Sequence, residues 1–330
     1  MRLRVLVLTL VAPLAGVLVV SAALAGESDG KRGAMPLRKL QGVNFISACG
    51  FSHRAPDDPI VFPGRAGASH DHSFVGNRTT NASSSLSSLL AGGTTCRNRP
   101  ADTAAYWMPT LYVGSQAVAP LGATIYYRRR AMRRVVAFPP GFRMIAGDAA
   151  ATAPQPPRVT FWNCGALVRI PPQSAPSACP AGRGSMLRLH VTFPSCWDGR
   201  SLDSANHKNH VAYPERGRCP SGYPVALPAI SLIYRYPTLG GSDLSLASGG
   251  VYSAHADFFN AWNQDALERL VDGCLNELRH CARGICFPTP PDRAAPESGR
   301  RPGSSAPTGW PVAARGSRAT GATLGLRPGR

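Results

Sequence analysis

The sequence predicts a mainly β domain: a sandwich-like core with long loops and one C-terminal α-helix, stabilised by disulfides. Three observations predict it. Short runs rich in Val, Ile, Tyr and Phe recur along the chain, punctuated by 31 prolines and 34 glycines. One stretch, 258–278, carries good helical periodicity. Nine cysteines are scattered without the tight paired spacing of a structural zinc site, which in an exported chain reads as disulfides.

Export is read from the N-terminus. Met1-Arg2-Leu3-Arg4 supplies positive charge, an apolar run follows from Val5 to Ala25, and Ala23-Leu24-Ala25 precedes polar Gly26-Glu27-Ser28-Asp29. This pattern predicts a cleaved signal peptide over 1–25 and a secreted, extracellular product. An uncleaved membrane anchor is the alternative, because the run nearly spans a bilayer. No later stretch is long enough, so no stable membrane span is expected after cleavage. Residues 26–37 form a linker and 38–288 one globular domain.

Within that domain, strands are expected at 40–47, 105–113, 123–127, 135–138, 159–162, 187–193 and 229–236. A weaker helix is expected at 83–90. In the 258–278 helix, Leu267, Leu270, Val271 and Cys274 share one side and Glu268, Arg269 and Asp272 the other. Asp257 reads as its N-cap, where a carboxylate accepts the orphan N–H groups of the first turn. Pairing by proximity predicts Cys274–Cys281, Cys196–Cys219 and Cys49–Cys96, with Cys286 as the leftover thiol. Residues 289–330 are rich in Pro, Gly, Ala and Arg, have almost no large apolar side chains, and are expected to form a disordered basic tail.

The formal net charge is +18, which invites a nucleic-acid partner. Its distribution argues against one: the tail and the signal peptide hold much of the surplus. The densest remaining run is Arg128-Arg129-Arg130 with Arg133-Arg134, interleaved with Tyr126, Tyr127 and Met132. It reads either as a solvated face or as a strand-edge patch for an acidic polymer.

Chemistry concentrates in three stretches that hold five of the eight histidines. They are Ser69-His70-Asp71-His72-Ser73-Phe74, the loop 198–210 ending in His207-Lys208-Asn209-His210, and His255-Ala256-Asp257-Phe258. Imidazoles beside carboxylates suit a metal site or general acid/base work. Were 69–72 extended, His70 and His72 would share one face, with Asp71 on the other. His70, His72, His207, His210 and His255 are therefore the metal-ligand candidates, for a divalent ion. The catalytic candidates are His70, Asp71, His72, His207, His210, His255 and Asp257. A metal-free acid/base or sugar-binding cleft, and plain hydrogen-bonded loop residues, stay open beside the metal reading. No His-Glu-x-x-His helix or phosphate loop is present, and no Gly-x-Ser-x-Gly elbow lies within 38–288; the match Gly26-Glu27-Ser28-Asp29-Gly30 falls in the linker after the signal peptide. Paired carboxylates for glycoside hydrolysis could come from Asp148, Asp198 and Asp203. Asn77-Arg78-Thr79 and Asn81-Ala82-Ser83 match glycosylation acceptors.

Taken in order, Ser69-His70-Asp71-His72-Ser73-Phe74-Val75-Gly76-Asn77, Phe142-Arg143-Met144-Ile145-Ala146-Gly147-Asp148, Cys196-Trp197-Asp198-Gly199, the 203–214 stretch and His255-Ala256-Asp257-Phe258 resemble the DUF1996 family of secreted fungal and actinobacterial proteins. The resemblance runs from about Gly42 to Cys281. Some fungal members are similar to wall-associated proteins with a carbohydrate-binding module, which implies an extracellular polysaccharide or cell wall as partner, bound or hydrolysed. In the hydrolytic version a His or carboxylate activates water, Arg143 or Lys208 steadies negative charge, and Trp107, Trp197 and Tyr213 stack on sugars. A non-catalytic wall-binding or adhesion protein is the alternative, and a metal-dependent nuclease a weaker one.

Overall fold

The computed structural model describes residues 37–165, 170–282 and 285–288. The signal-peptide and basic-tail expectations lie outside the described residues, as does the side chain of Cys286. In chain order the strands are β1 (Asn44–Cys49), β2 (Phe51–Ala55), β3 (His72–Gly76), β4 (Ala105–Pro109), β5 (Leu111–Val113), β6 (Gln116–Val118), β7 (Gly122–Arg128), β8 (Arg143–Gly147) and β9 (Thr160–Asn163). They continue as β10 (Arg188–Thr192), β11 (Cys196–Trp197), β12 (Val211–Ala212), β13 (Val225–Ala226), β14 (Ala229–Arg235), β15 (Leu244–Leu246), β16 (His255–Phe259), β17 (Arg279–Ala282) and β18 (Ile285–Pro288). Among the described residues there are also a 3-10 helix (Leu37–Leu40) and the α-helices α1 (Leu86–Ala91) and α2 (Gln264–Leu270), and α2 continues as π-helix over Val271–Asn276.

A seven-stranded sheet, order β18-β17-β1-β7-β14-β10-β9, packs on a five-stranded sheet, order β2-β3-β4-β16-β8. Alternation drives the packing. On β7, Ala123, Ile125 and Tyr127 are fully buried, while Thr124, Tyr126 and Arg128 between them are only half-buried on the opposite face. The inward residues of the smaller sheet are Val75, Tyr106, Met108, Met144, Ala146, Ala256 and Phe258, and they join the same core. Tyr234 bridges the two sheets by donating its hydroxyl to the Ser73 carbonyl at 2.7 Å.

The smaller sheet is covered on its other face too. Phe74, Ala105, Trp107, Ile145 and Phe259 point there and pack with Ile60 and with Leu89 of α1 into a second core. Strands β3, β4 and β16 are therefore buried at every position, with no polar face to betray them. This second layer, roofed by the loop between β2 and β3, holds the functional candidates.

The pairs Cys49–Cys96, Cys196–Cys219 and Cys274–Cys281 form as expected, and Cys164–Cys179 adds a fourth disulfide. No described helix is long and apolar enough to cross a membrane.

Four expectations need correcting. The segment 258–278 is not one helix: Phe258 and Phe259 end β16, and α2 starts only at Gln264, with Asn263 accepting from the Ala266 N–H. Asp257 is consequently no cap; it sits mid-strand, opposite Trp107 and Ile145. The run 135–138 forms no strand, although Val135 and Phe138 still bury in the core. Asn77 is no glycosylation acceptor in the folded protein, because its fully buried amide donates to the Leu89 and Thr103 carbonyls.

Candidate metal centre

The antiparallel register places the site. Residues directly opposite one another share a face, so Phe74 opposite Trp107, and Trp107 opposite Asp257, put β3, β4 and β16 in line on the outer face of the smaller sheet. His72 and His255, each two residues from a member of that line, point the same way. His70, just before β3, falls in beside them. The His70 ring lies 4.3 Å from His72 and 5.0 Å from His255, and His72 lies 5.8 Å from His255, centroid to centroid.

Donor atoms of His70, His72 and His255 fall within 4.8 Å of one another, and so do those of Asp58, His72 and Asp257. His72 belongs to both groups, which makes them one cluster. A third set, Cys49, Cys96 and Asp102, carries no ligand chemistry because the two sulfurs are joined in a disulfide.

The hydrogen bonding is one-sided. His72 Nδ1 lies 3.0 Å from the Asp57 carbonyl and His255 Nδ1 lies 2.9 Å from the Ser253 carbonyl. A carbonyl can only accept, so both Nδ1 atoms carry the proton and both Nε2 atoms present lone pairs. His72 Nε2 and His70 Nε2 are buried without any hydrogen-bond partner. His255 Nε2 faces Asp257 Oδ2 at 4.0 Å. Neither carboxylate oxygen of Asp257 has a partner, although the residue is 1% exposed.

Burial shifts each member of the group toward its uncharged form. Burial, helped by the neighbouring His70 and His255, holds His72 well below the usual imidazole range. Burial lowers His255 to about 4, against the Ser253 carbonyl and alongside the positive fields of His70 and Lys208. Burial and the nearby Asp58 push Asp257 well above the usual carboxylate range, with Lys208 opposing. Burial likewise raises Asp58, although its carboxylate accepts the Ile60 and Val61 N–H groups at 2.8 and 2.9 Å. The arrangement is a set of imidazoles and buried carboxyls in two overlapping triads that share His72, and a divalent cation bound there would need the imidazoles neutral and the carboxyls ionised.

The remaining predicted residues part company here. His207, in the loop beyond β8, stands at the rim; its Nδ1 meets Asp203 Oδ1 at 2.8 Å. Its charge reaches Asp58, and its φ of 59° holds it in the left-handed region. Lys208 extends its ammonium to the Gly147 carbonyl at 2.7 Å, opposite His255 across β8 and β16. His210 is not brought into the cluster. Both its ring nitrogens are engaged, Nδ1 with Ser204 Oγ at 2.9 Å and Nε2 with the Arg143 carbonyl at 2.8 Å, and its ring packs on Phe142. Asp71 points away, held by Arg54 Nε at 2.9 Å and the Tyr112 hydroxyl at 3.2 Å.

Trp107 is fully buried beneath the cluster and cannot stack on a sugar, and Trp197 donates its indole N–H to the Ser201 carbonyl. Sequence reasoning missed Asp58. The only signal for it was an acidic pair between two prolines, which reads first as a turn.

A family description, "Domain of unknown function (DUF1996)", matches residues 58–262. The chain belongs to the DUF1996 family. The match begins at Asp58 and ends at Trp262, so it takes in every residue of the cluster. No curated protein and no solved structure matches the chain. For this DUF1996 domain, function must therefore be argued from the site itself.

Proposed function

We propose that this DUF1996 domain is the metal-dependent core of an exported protein. It holds one divalent transition-metal ion through His70, His72, His255 and Asp257, with Asp58 beside them. The carrying observation is the set of buried donors without partners: native proteins seldom leave such groups unsatisfied, and a cation satisfies all of them at once. Three imidazoles and one carboxylate are borderline-soft donors that suit a zinc-class ion. In an occupied tetrahedral site, donors about 2.1 Å from the ion lie roughly 3.4 Å apart. Side-chain adjustments of about an ångström close the present cluster to that size.

The reaction we favour is hydrolysis of an extracellular polysaccharide. A zinc-class ion supplies an acidified water, with pKa near 7 in known sites. A proton-moving role for His207 is supported by its hydrogen bond to Asp203 and by its left-handed backbone, the kind of local strain that collects at functional sites. A cavity of about 260 Å³ lined by Gly147, Asp148, Lys208 and Tyr213, reached from the cluster through the pairing of Gly147 with His255, offers room for a sugar unit.

The test pairs metal analysis with reducing-end release from a polysaccharide panel. Wild type should carry one equivalent of metal, and His70→Ala/His72→Ala none. His207→Ala should keep the metal and lose release. Absence of metal under replete conditions would sink the metal reading. Binding without release, unaffected by the histidine changes, would support the adhesion reading instead.

A further inference from the structure

The opposite side of the sandwich carries a second feature that the metal centre does not use. On the outward face of the seven-stranded sheet, Arg188 on β10 stands directly opposite Arg235 on β14, and Tyr126 and Arg128 project from neighbouring β7. His190 and Phe161 complete the face as a directly opposed pair on β10 and β9. All six are half-buried.

Nothing in the described protein neutralises this face. Arg128, Arg188 and Arg235 form no ion pair and no side-chain hydrogen bond among the described residues, and the Nε atom of each is buried without a partner. The charges instead act on one another. Burial, then Arg188 and Arg128, lowers His190 to about 3, so the imidazole adds no charge of its own. Three guanidinium groups with five N–H donors each thus share this face without a carboxylate: Arg188 and Arg235 are paired at one end, and Arg128, opposite Ala229 at the far end of β14, stacks over Tyr126; a bound anion would relieve the cost of leaving them unpaired. The basic surface continues at both ends. A cavity of about 530 Å³ includes Arg130 and Arg158, and another of about 620 Å³ includes Arg97 and Arg235.

The aromatic groups help to choose the anion. Arg128 Cζ lies 4.0 Å over the Tyr126 ring, and Phe161 stacks on His190 at 4.1 Å. Both platforms are already covered within the protein, so they offer little free ring surface to nucleobases, which single-strand binders need. What the face presents is forked donors spread over a sheet, the geometry for planar carboxylate groups along a chain.

We infer that this sheet face is a binding site for an acidic polysaccharide, engaged through Arg128, Arg188 and Arg235. It is independent of the metal centre, which lies on the outer face of the other sheet.

Titration of the full chain with polygalacturonate, at low salt and with chelator present, tests this. Saturable binding is expected to weaken more than tenfold between about 20 mM and 0.5 M salt, as exposed charges are screened. Dextran, a neutral glycan, should not bind. Arg128→Gln/Arg188→Gln/Arg235→Gln should lose at least tenfold in affinity. Arg65→Gln/Arg133→Gln/Arg269→Gln, with the same net charge change elsewhere, should lose less than threefold. Arg188→Lys/Arg235→Lys, which preserves charge, guards against misfolding and should keep intermediate affinity. Equal losses in the two triple variants, or tighter binding of oligo(dT) or phosphatidylglycerol vesicles than of polygalacturonate, would overturn the inference. Either result would leave the metal reading untouched, because the chelator removes that site from the assay.

Discussion

Replacing Asp257 with Asn separates a metal ligand from a buried structural carboxyl, because the two roles give opposite signs. In metal-free protein the Asp257 carboxyl is 1% exposed, has no hydrogen bond and is pushed well above its ordinary pKa by burial and then by Asp58. Burying that carboxyl without a partner therefore costs stability in metal-free protein, by about 3–5 kcal/mol for an uncompensated buried charge. The near-isosteric amide avoids that cost but brings N–H groups of its own, worth about 1–3 kcal/mol if they stay unpaired. The metal-free variant should then be more stable than wild type by about 1–3 kcal/mol at pH 7, a rise of several degrees in Tm. With metal the order reverses. Wild type at a thousandfold excess of metal over Kd gains about 4 kcal/mol, roughly 10 °C. The variant, lacking the anionic donor, should gain less than half of that. Thermal unfolding of chelated protein, with and without added zinc, reads both signs. A variant that is less stable without metal yet shifts as far as wild type with zinc would refute the reasoning.

Other perturbations probe the supports of the same site. Gly147→Ala places a methyl 2.5 Å from the Ala254 carbonyl and 3.2 Å from His255 Cβ at a backbone φ of 85°. It should destabilise the fold by about 1–3 kcal/mol and weaken metal binding at least tenfold, and unchanged metal affinity would contradict the placement of His255. His210→Ala should cost about 1–3 kcal/mol in unfolding experiments, by orphaning the Arg143 carbonyl, while metal content stays at one equivalent; loss of metal would make His210 a ligand after all. Asp102, whose carboxyl accepts the Tyr106 hydroxyl in the core, is raised by burial from 3.8 to about 7. The folded state then binds the extra proton between these values, so stability from this group is fully present below about pH 3.8, falls as pH rises toward 7, and is flat above. Asp102→Asn should remove up to about 4 kcal/mol of that decline, and parallel wild-type and variant profiles from pH 4 to 8 would count against it.

Much of the larger sheet was legible because its strands are short runs rich in Val, Ile, Tyr and Phe bounded by Pro and Gly: β7, β10 and β14 fall within or over the expected runs 123–127, 187–193 and 229–236. The strands that build the site were not, for a physical reason. β3 and β16 are covered on both faces, so His72, Ser73, His255 and Asp257 lie inside without any polar-apolar rhythm. Asp257 and Asn263 are both good caps six residues apart, and local sequence cannot tell which one the helix uses when the first is drawn into a sheet by pairing with distant β4 and β8. Histidine clustering still marked His70, His72 and His255, because alternate spacing on a strand puts side chains on one face. It also brought in His210, whose neighbours Ser204 and Arg143 settle its role only in three dimensions. Asp58 left almost no trace, since its contribution depends on a loop folding back over the sheet.

The most direct measurement is a crystal structure of zinc-replete protein with diffraction recorded on both sides of the zinc absorption edge. A single strong anomalous peak is expected among His70, His72, His255 and Asp257, with Nε2 of His72 and of His255 about 2.1 Å from it. A fully ordered cluster with no anomalous peak, or with the peak only at surface residues elsewhere, would contradict it.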